Sequence, residues 1–223
     1  MDEISQQLNR EDAFVSGAQH ELKRRSVVIC ISGPSGVGKG TVIAALRERL
    51  PGLRLSVSAT TRQPRPGEEE GVAYYFRKRE DFEAMIQEGR ILEYDEFCGN
   101  YYGTLREELE TAQEHGEDIV LDVTVKGALA VKENYPGAKT VFLLPPSMEH
   151  LAQRLSNRGT ESPEVRSRRL AEGREEMTHS LFFDYILINE TVEESAEQLH
   201  AILVAEKQRR RNCIGFEDYL KSM

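Results

Sequence analysis

The sequence predicts an α/β fold in which a central parallel sheet carries helices on both faces, with a smaller α+β lobe inserted. Two observations support this prediction. Short apolar runs suited to buried strands alternate along the chain with segments of helical pattern. The alternation stops between residues 59 and 116, where proline, glycine, tyrosine and charged residues are frequent. We expect that stretch to form the separate lobe.

Each element of the sheet follows from a local pattern. Strands are predicted at the apolar runs 26–32, 119–123, 140–144 and 184–188. Helices are predicted at 41–50, 125–134, 147–157 and 193–209. Because each strand leads into a helix, the strands are expected to run parallel. Within the lobe, strands are predicted at 74–76 and 91–97, and helices at 80–88 and 105–115.

Composition changes along the chain set the expected domain boundaries. A core domain is predicted from 26–58 together with 117–207, and the inserted lobe from 59–116. Residues 158–165 carry glycine and charge between two helices, which is typical of a mobile lid. The polar residues 1–25 are expected to form a helical or loose extension, and 208–223 a tail of undefined order.

Composition also excludes several classes of function. With 223 residues, 39% hydrophobic and 30% charged, the chain is long enough for one core and a small subdomain. The net charge of −9 argues against a general nucleic-acid binder, which needs a basic face. The basic run 209–211 could contact nucleic acid, but a solvated helix end explains it better.

The cellular location and the redox state of the cysteines are predicted from features that the sequence lacks. No apolar run approaches the length needed to span a bilayer, and the N-terminus has no apolar secretory segment. A cytoplasmic location is therefore expected. Cys30, Cys98 and Cys213 are far apart and odd in number, so we expect reduced thiols and no metal site.

A glycine-rich segment, GPSGVGKGT, directly follows the first predicted strand and opens a helix. In this context the pattern is a P-loop, whose backbone N–H groups point into one concavity and bind phosphate. Lys39 is placed to reach the β- and γ-phosphates of ATP. The fold is therefore predicted to be a P-loop three-layer sandwich. The expected ATP-binding residues of this segment are Gly33, Pro34, Ser35, Gly36, Val37, Gly38, Lys39, Gly40 and Thr41.

One detail of the loop bears on magnesium. The general pattern has Ser or Thr directly after the lysine as a Mg²⁺ ligand, whereas here Gly40 takes that place. We therefore expect ATP oxygens and water to hold most of the Mg²⁺, and Thr41 to lie near a phosphate. Asp122, at the end of a predicted strand, is the candidate acidic group near the metal, acting through water. A helix cap is the alternative role for that side chain.

A second constellation lies in the inserted lobe, in the run SVSATTRQPRPGE. Arg62 and Arg65 stand three residues apart, with hydroxyls before them and a proline-stiffened turn after them. The guanidinium group presents a planar fork matched to phosphate oxygens. This pair is a plausible binding site for a phosphate dianion.

With these motifs the chain resembles the guanylate kinase family. The resemblance rests on GPSGVGKGT, SVSATTRQPRPGE, GVAYYF, the glutamate of LEYDEF, GNYYGT, the strand around Asp122, RLSNRGT, RRL and REE. These motifs occur in the family's order from about residue 26 to 203. The resemblance implies an ATP:GMP phosphotransferase that also accepts dGMP, uses ATP with Mg²⁺, and closes a lid over its substrates.

The resemblance also implies roles for individual residues. On the acceptor side, the residues implied to hold the GMP phosphate are Arg62, Arg65, Tyr74 and Tyr102, and those implied to contact guanine are Ser58, Glu93 and Thr104. The expected GMP-binding set also includes Glu68, Asp122 and Thr124. The lid and the following helix are implied to supply Arg154, Arg158, Arg169 and Arg174, which together with Lys39 and Arg62 form the expected catalytic set. A solvated basic helix face is the alternative for these lid arginines. Asn189 resembles an adenine-contacting position, although an asparagine there can simply end the strand.

Two positions depart from the family pattern. Thr124 stands where the family usually has a second aspartate, and Lys126 stands where glutamine is usual. We expect GMP to remain the acceptor, with altered affinity or stringency.

Two other functions compete with this interpretation. One is a kinase of the same fold with a different acceptor, and the other is a non-catalytic guanylate-kinase-like binding module. Such modules usually lose the P-loop lysine, and this chain keeps Lys39. We therefore expect an enzyme whose partners are ATP and GMP, without nucleic acid or membrane, as a monomer or homodimer.

Overall fold

The computed structural model describes residues 23–156 and 163–222, and a five-stranded parallel sheet lies at the centre of this part. Numbered in chain order, its strands are β1 (Val28–Ser32), β2 (Arg54–Leu55), β7 (Ile119–Asp122), β8 (Lys139–Leu144) and β9 (Tyr185–Ile188). The order across the sheet is β2-β7-β1-β8-β9, so β1 is central. The predicted α/β fold with a central parallel sheet is confirmed.

Helices cover both faces of this sheet. They are α1 (Lys39–Arg49), α3 (Arg106–His115), α4 (Val125–Asn134), α5 (Met148–Ser156), α6 (Pro163–Thr178) and α7 (Val192–Lys207). Ile29 and Ile31 of β1 share a core with α1 and α7, while Val28 and Cys30 share one with α3 and α4. Because successive strand residues point to opposite faces, β1, which is apolar except for Ser32, is buried on both sides. This gives the three layers of the sandwich.

A second, four-stranded sheet lies within residues 58–105. Its strands are β3 (Ser58–Thr60), β4 (Tyr75–Phe76), β5 (Ile91–Phe97) and β6 (Asn100–Leu105), in the order β4-β3-β6-β5. Helix α2 (Arg79–Gln87) packs on one face, where Phe82 and Met85 are buried against Ala59, Ile91 and Leu105. The other face is left for the polar side chains described below.

Helix α4 joins the two sheets. It follows β7 of the central sheet and packs against β5 of the smaller one. The Asn134 side chain at the end of α4 donates to the carbonyl oxygen of Leu92 over 3.1 Å. Leu92 itself belongs to the core beneath α3 and α4. Helix α4 is therefore held against both sheets.

The observed bounds agree closely with the local patterns. Helix α4 and strand β5 occupy the predicted ranges residue for residue, 125–134 and 91–97. Helix α1 begins at Lys39, two residues before the predicted start, because Gly38 supplies a left-handed N-cap. Of the expected lid 158–165, only the last three residues are described, and they open α6. Residues 1–22 of the expected extension lie outside the described part.

The C-terminal segment is ordered around Glu206, which is 2% exposed. The hydroxyl of Tyr185 donates to its carboxylate over 2.6 Å, and Arg209 and Arg211 bond to it at 2.9 and 3.1 Å. Burial and this hydrogen bond raise the pKa of Tyr185 to about 12. A short 3₁₀ helix (Arg210–Asn212) and helix α8 (Phe216–Ser222) follow. Two arginines of the basic run are thus ion-paired within the protein.

This segment pairs with the start of the described chain. The Arg25 amide donates to the Asn212 carbonyl oxygen, and the Ile214 amide donates to the Lys23 carbonyl oxygen, each over 2.8 Å. All three cysteines lie among the described residues, and none forms a disulfide. Every helix within 23–156 and 163–222 is too short or too polar to cross a bilayer.

Candidate active site

The P-loop, residues 33–41, connects β1 to α1 at the carboxyl edge of the central sheet. Gly33 has φ 145°, and a Cβ built there would lie 2.3 Å from the Leu143 carbonyl oxygen. Gly38 has φ 103° and precedes the first helical residue. Side chains at these two positions would be strained or would collide with neighbouring groups, so glycine is required for the loop to curve into the helix.

Lys39 opens α1 and lies close to Asp122. Its Nζ donates to the Gly33 carbonyl oxygen over 3.1 Å and lies 3.9 Å from Asp122 Oδ1. Asp122 is the last residue of β7 and pairs with Ile31 of the neighbouring strand β1. Burial raises the pKa of the Asp122 carboxyl, and the charge of Lys39 opposes that rise. The lysine and the aspartate therefore share one small region at the carboxyl ends of adjacent strands.

The Val37 carbonyl is held by two side chains from distant parts of the chain. Arg154 Nη1 and Asn189 Nδ2 each donate to it over 2.7 Å. Arg154 Nη2 also donates to the Asn189 carbonyl oxygen over 2.9 Å, and the Ser195 hydroxyl donates to Asn189 Oδ1 over 3.0 Å. The resulting cluster ties α5, α7 and the end of β9 to the P-loop.

Asn189, the expected adenine-contacting position, directly follows β9. The residue is 1% exposed, and both ends of its side-chain amide form hydrogen bonds within the protein. Arg154, expected in the lid set, donates to the same P-loop carbonyl oxygen as Asn189. Both side chains therefore contact the P-loop.

One face of α6 lies against the P-loop. Arg169 Nη2 donates to Ser35 Oγ over 2.5 Å, and a Cβ built on Gly173 would lie 3.2 Å from Pro34 Cβ. Glu176 lies about one turn further on; burial raises the pKa of its carboxyl, and the charge of Lys39 and the Ser35 backbone oppose that rise. The spacing 169, 173, 176 is that of a single helix face.

Arg168 and Arg174, also on α6, are exposed. Arg168 forms an exposed pair with Glu172 at 3.0 Å, as expected of a solvated helix face. Arg158 lies outside the described residues. The structure therefore brings Arg154 and Arg169 of this set to the P-loop.

The predicted guanine-contacting residues form a row across the second sheet. Ser58 of β3 and Glu93 of β5 each pair with Thr104 of β6, from opposite sides. The Thr104 hydroxyl donates to Glu93 Oε1 over 2.7 Å, and the two residues are 1% and 7% exposed. The β5–β6 register shifts between Ile91 and Glu93, which re-aims the strand at that residue. Burial raises the pKa of the Glu93 carboxyl, and the Thr104 hydrogen bond opposes the rise.

The predicted phosphate-binding residues gather around Glu68. Arg62 forms a bidentate pair with this carboxylate, with both N–O distances 2.9 Å. The Arg65 amide donates to Glu68 Oε2 over 2.8 Å. Hydrogen bonding from Arg62 lowers the pKa of Glu68, and the same pairing raises that of Arg62.

Two tyrosines complete this cluster. The Arg62 guanidinium lies 5.3 Å from the ring centroid of Tyr74. The ring of Tyr102 packs edge-on to that of Tyr74, with the ring centroids 5.9 Å apart, and Tyr102 adds to the rise in the pKa of Arg62 that Glu68 causes. The structure thus brings Glu68, Tyr74 and Tyr102 together around the guanidinium group of Arg62.

Comparison with known proteins agrees with this geometry. The family model described as guanylate kinase matches residues 23–206. The chain belongs to the guanylate kinase family. A guanylate kinase of Symbiobacterium thermophilum is 49% identical over 187 residues, which is 84% of this chain and 89% of the relative. That of Desulfitobacterium hafniense is 46% identical, covering 84% of this chain and 94% of the relative.

Solved structures give the same answer. The crystal structure of a guanylate kinase from Anaplasma phagocytophilum superposes with a TM-score of 0.73 at 35% sequence identity. The alignment covers 90% of this chain and 96% of the other. The family therefore accounts for both sheets and for the helices between them.

Thr124, one of the two departures from the guanylate kinase pattern, caps α4. Its Oγ1 accepts the amide hydrogen of Gly127 over 3.1 Å. The alternative role considered for Asp122, a helix cap, is thus filled by Thr124 instead. A Ser or Thr placed just before a helical segment favours this role, so the sequence did contain the signal.

Three residues near the site were not predicted from the sequence. Ser195 orients Asn189, Glu176 approaches the P-loop, and Gly127 lies against Glu93. The helical spacing from Arg169 could have pointed to Glu176. The other two contacts join segments far apart in sequence, and no local pattern indicates them.

Proposed function

We propose that this chain transfers the γ-phosphoryl group of ATP to GMP, and to dGMP, producing ADP with GDP or dGDP. The observation that carries the proposal is the buried Glu93 carboxylate, fixed by Thr104 in a lobe beside a P-loop that keeps Lys39. A binding module without activity would have no need of that lysine. A kinase for another acceptor would have no need of a buried carboxylate at this place.

Glu93 selects the base through the hydrogen bonds that guanine offers. Guanine presents N1–H and N2–H donors side by side, and one carboxylate can accept both. Adenine presents an acceptor at that edge, so binding it would leave a buried carboxylate unpaired. Discrimination of this kind is strong because buried polar groups are costly to leave without a partner. Ser58 and Thr104 would complete the contacts, donating to O6 or N7.

The acceptor phosphate binds between Arg62, Arg65, Tyr74 and Tyr102. A phosphate dianion matches the planar fork of Arg62, which Glu68 already orients. In this proposal Glu68 positions the two arginines, and the phosphate competes with its carboxylate for Arg62.

ATP binds with its phosphates in the P-loop. Backbone N–H groups and the start of α1 stabilise the negative charge, and Lys39 follows the γ-phosphoryl group as it moves. Asn189 and Arg154 keep the Val37 carbonyl turned away from the phosphates. Arg158, Arg169 and Arg174 would approach the transferring group when the lid, residues 158–165, closes and excludes water.

The residues present fit a Mg²⁺ ion held mainly by the nucleotide. Among the described residues no group of three His, Cys, Asp or Glu side chains could hold a metal, and Gly40 supplies no hydroxyl. Asp122, beside Lys39, would contact the ion through water. When bound, Mg²⁺ supplies charge neutralisation on the phosphates.

The chain divides its work between two parts. We assign ATP binding to the core domain, 26–58 and 117–207, and GMP binding to the lobe 59–116. Because the proposed substrates are ATP and GMP, we propose a cytoplasmic location. We also propose that the protein is a monomer or a homodimer.

The departure at Thr124 tunes the acceptor site without changing the acceptor. Aspartate caps helices as well as threonine does, so Thr124→Asp should keep the fold while adding a second carboxylate near Glu93. We expect the GMP KM and the GMP/AMP preference to change. A variant that matches the parent in both would contradict this role.

The experiment that tests the function is an acceptor panel. ADP release is followed with ATP and Mg²⁺ and with GMP, dGMP, AMP, UMP, CMP or IMP as acceptor. Turnover that is strongest on GMP and dGMP supports the proposal. Turnover on another monophosphate would replace it with a same-fold kinase, and GMP binding without any turnover would replace it with a binding module.

A further inference from the structure

Gly127, the third residue of α4, lies directly against the Glu93 carboxylate. A Cβ built on Gly127 would be 2.5 Å from Glu93 Oε2 and 3.0 Å from Glu93 Cδ. It would also be 3.3 Å from Thr124 Oγ1. Real side chains do not tolerate the first of these distances, so only a hydrogen atom fits between α4 and the carboxylate.

The backbone of Gly127 gives no other reason for glycine. The residue lies within α4, and its φ is not positive. Glycine is among the weakest helix formers and alanine is the strongest, so helix stability alone would favour alanine here. A glycine kept inside a helix against that preference indicates a close approach.

The Glu93 carboxylate is the movable partner in this contact. Its Oε1 is held by the Thr104 hydroxyl at 2.7 Å, and its Oε2 faces Gly127. A carboxylate at the end of a side chain can turn away from an added methyl group, whereas α4 is fixed to both sheets. Crowding at 127 should therefore move Glu93 rather than the helix.

We propose that Gly127 is a positioning residue for the acceptor base, setting where Glu93 Oε2 lies and so how strictly the site demands a 2-amino group. This inference rests on the proposed function. Guanine offers two adjacent donors, and hypoxanthine lacks the second because it has no exocyclic amine. The start of α4 also stabilises negative charge, which favours the ionised carboxylate at this place.

The test compares Gly127→Ala with the parent in the full chain, using GMP and IMP as acceptors with ATP and Mg²⁺. We expect the GMP KM to rise about tenfold while kcat and the ATP KM stay within about twofold. The ratio of kcat/KM for GMP over IMP should fall about tenfold. Gly52→Ala is the matched control, since a Cβ there meets nothing within 4 Å, and it should leave all four quantities unchanged.

A second variant separates positioning from a general structural effect. Glu93→Asp shortens the side chain by one methylene and withdraws the carboxylate from the added methyl. In the parent, Glu93→Asp should lower the ratio of kcat/KM for GMP over IMP. In the Gly127→Ala background the same substitution should lower this ratio several-fold less, because the two sites are coupled. Thermal unfolding of each variant shows whether the fold is kept.

Two outcomes would overturn the inference. One is a Gly127→Ala protein whose GMP KM and GMP/IMP ratio match those of the parent. The other is a double variant that regains thermal stability without any change in the GMP/IMP ratio. If the parent itself fails to phosphorylate GMP, the proposed function and this inference fall together, which the parent's assay alone reveals.

Discussion

The P-loop and the acceptor lobe solve the problem of holding a nucleotide in different ways. The P-loop is a continuous run of nine residues whose conformation depends on glycines and on one braced carbonyl. The acceptor lobe instead assembles side chains from three strands around the buried Glu93 carboxylate, and separately pairs the Arg62 guanidinium with Glu68. Phosphate binding is thus a property of backbone shape, while the choice of base is a property of side-chain placement.

Lys39→Ala should have the largest effect, because it removes the charge that follows the γ-phosphoryl group. We expect kcat to fall about 10³-fold, the scale seen when a group stabilising transition-state charge is removed. The GMP dissociation constant should stay near that of the parent. Lys221→Ala, which removes an exposed lysine of α8, is the control. A fall of less than tenfold in an ADP-release assay would show that Lys39 does not act on the transferred group.

Arg62→Lys should affect only the acceptor side. Lysine keeps the charge but loses the planar fork that pairs with both Glu68 and a phosphate. We expect the GMP KM to rise about 100-fold with the ATP KM unchanged. Arg90→Lys, an exposed arginine of the same lobe, is the matched control. Equal changes in the GMP KM and the ATP KM would contradict the assignment of Arg62 to the acceptor side alone.

Glu93→Gln should remove the part of the pH dependence of GMP binding that comes from Glu93. In the parent, burial raises the pKa of Glu93, so acidification protonates it earlier than an ordinary glutamate and the GMP KM rises. We expect the variant to have a GMP KM about tenfold higher near neutrality, and a smaller relative rise in the GMP KM between about pH 8 and pH 5 than the parent, because only the GMP phosphate still titrates there. Steady-state kinetics across that range checks the prediction, and a variant whose relative rise matches that of the parent contradicts it.

The same substitution has a predicted sign for stability. A carboxyl whose pKa is raised on folding holds its proton longer in the native state, so the parent loses stability as pH rises through that pKa. Glutamine carries no such cost and can still accept from Thr104. At pH 8 the variant should melt on the order of 2 °C above the parent, and the gap should close in acid.

Asn189→Ala should have the smallest effect and should fall on the P-loop side. It removes the amide that donates to the Val37 carbonyl, while Arg154 remains. We expect about a threefold rise in the ATP KM, no change in the GMP KM, and a melting temperature about 3 °C lower. Asn212→Ala loses a similar amide–carbonyl bond near the C-terminus, and should lower stability without changing the ATP KM. A change in the GMP KM of Asn189→Ala would contradict the assignment of Asn189 to the P-loop side.

The two regions also differ in how far the sequence reveals them. The P-loop is predictable because strand, glycines and lysine are neighbours, and the pattern alone indicates phosphate. The row of Ser58, Thr104 and Glu93 joins three strands and a register shift, so it was proposed only through the family resemblance. The inward turn of Asn189 depends on Ser195 and Val37, which no spacing rule connects.

Thr124 shows the limit of arguing from a family pattern alone. The comparison with the family's aspartate drew attention to its charge, whereas local helix chemistry already indicated its role as a cap. The missing charge and the helix cap concern the same side chain, and only the capping role is determined by its neighbours in sequence.

The pairing of residues 23–25 with 212–214 affects how the folded chain opens. Because the Arg25 and Ile214 amides each bond to the opposite segment, neither segment can detach while the other keeps its hydrogen bonds. Local unfolding at the two places should then be one event with one free energy. Amide hydrogen exchange at Arg25 and Ile214 would report a common opening rate, although 189 positions separate them in the chain and the family match ends at residue 206.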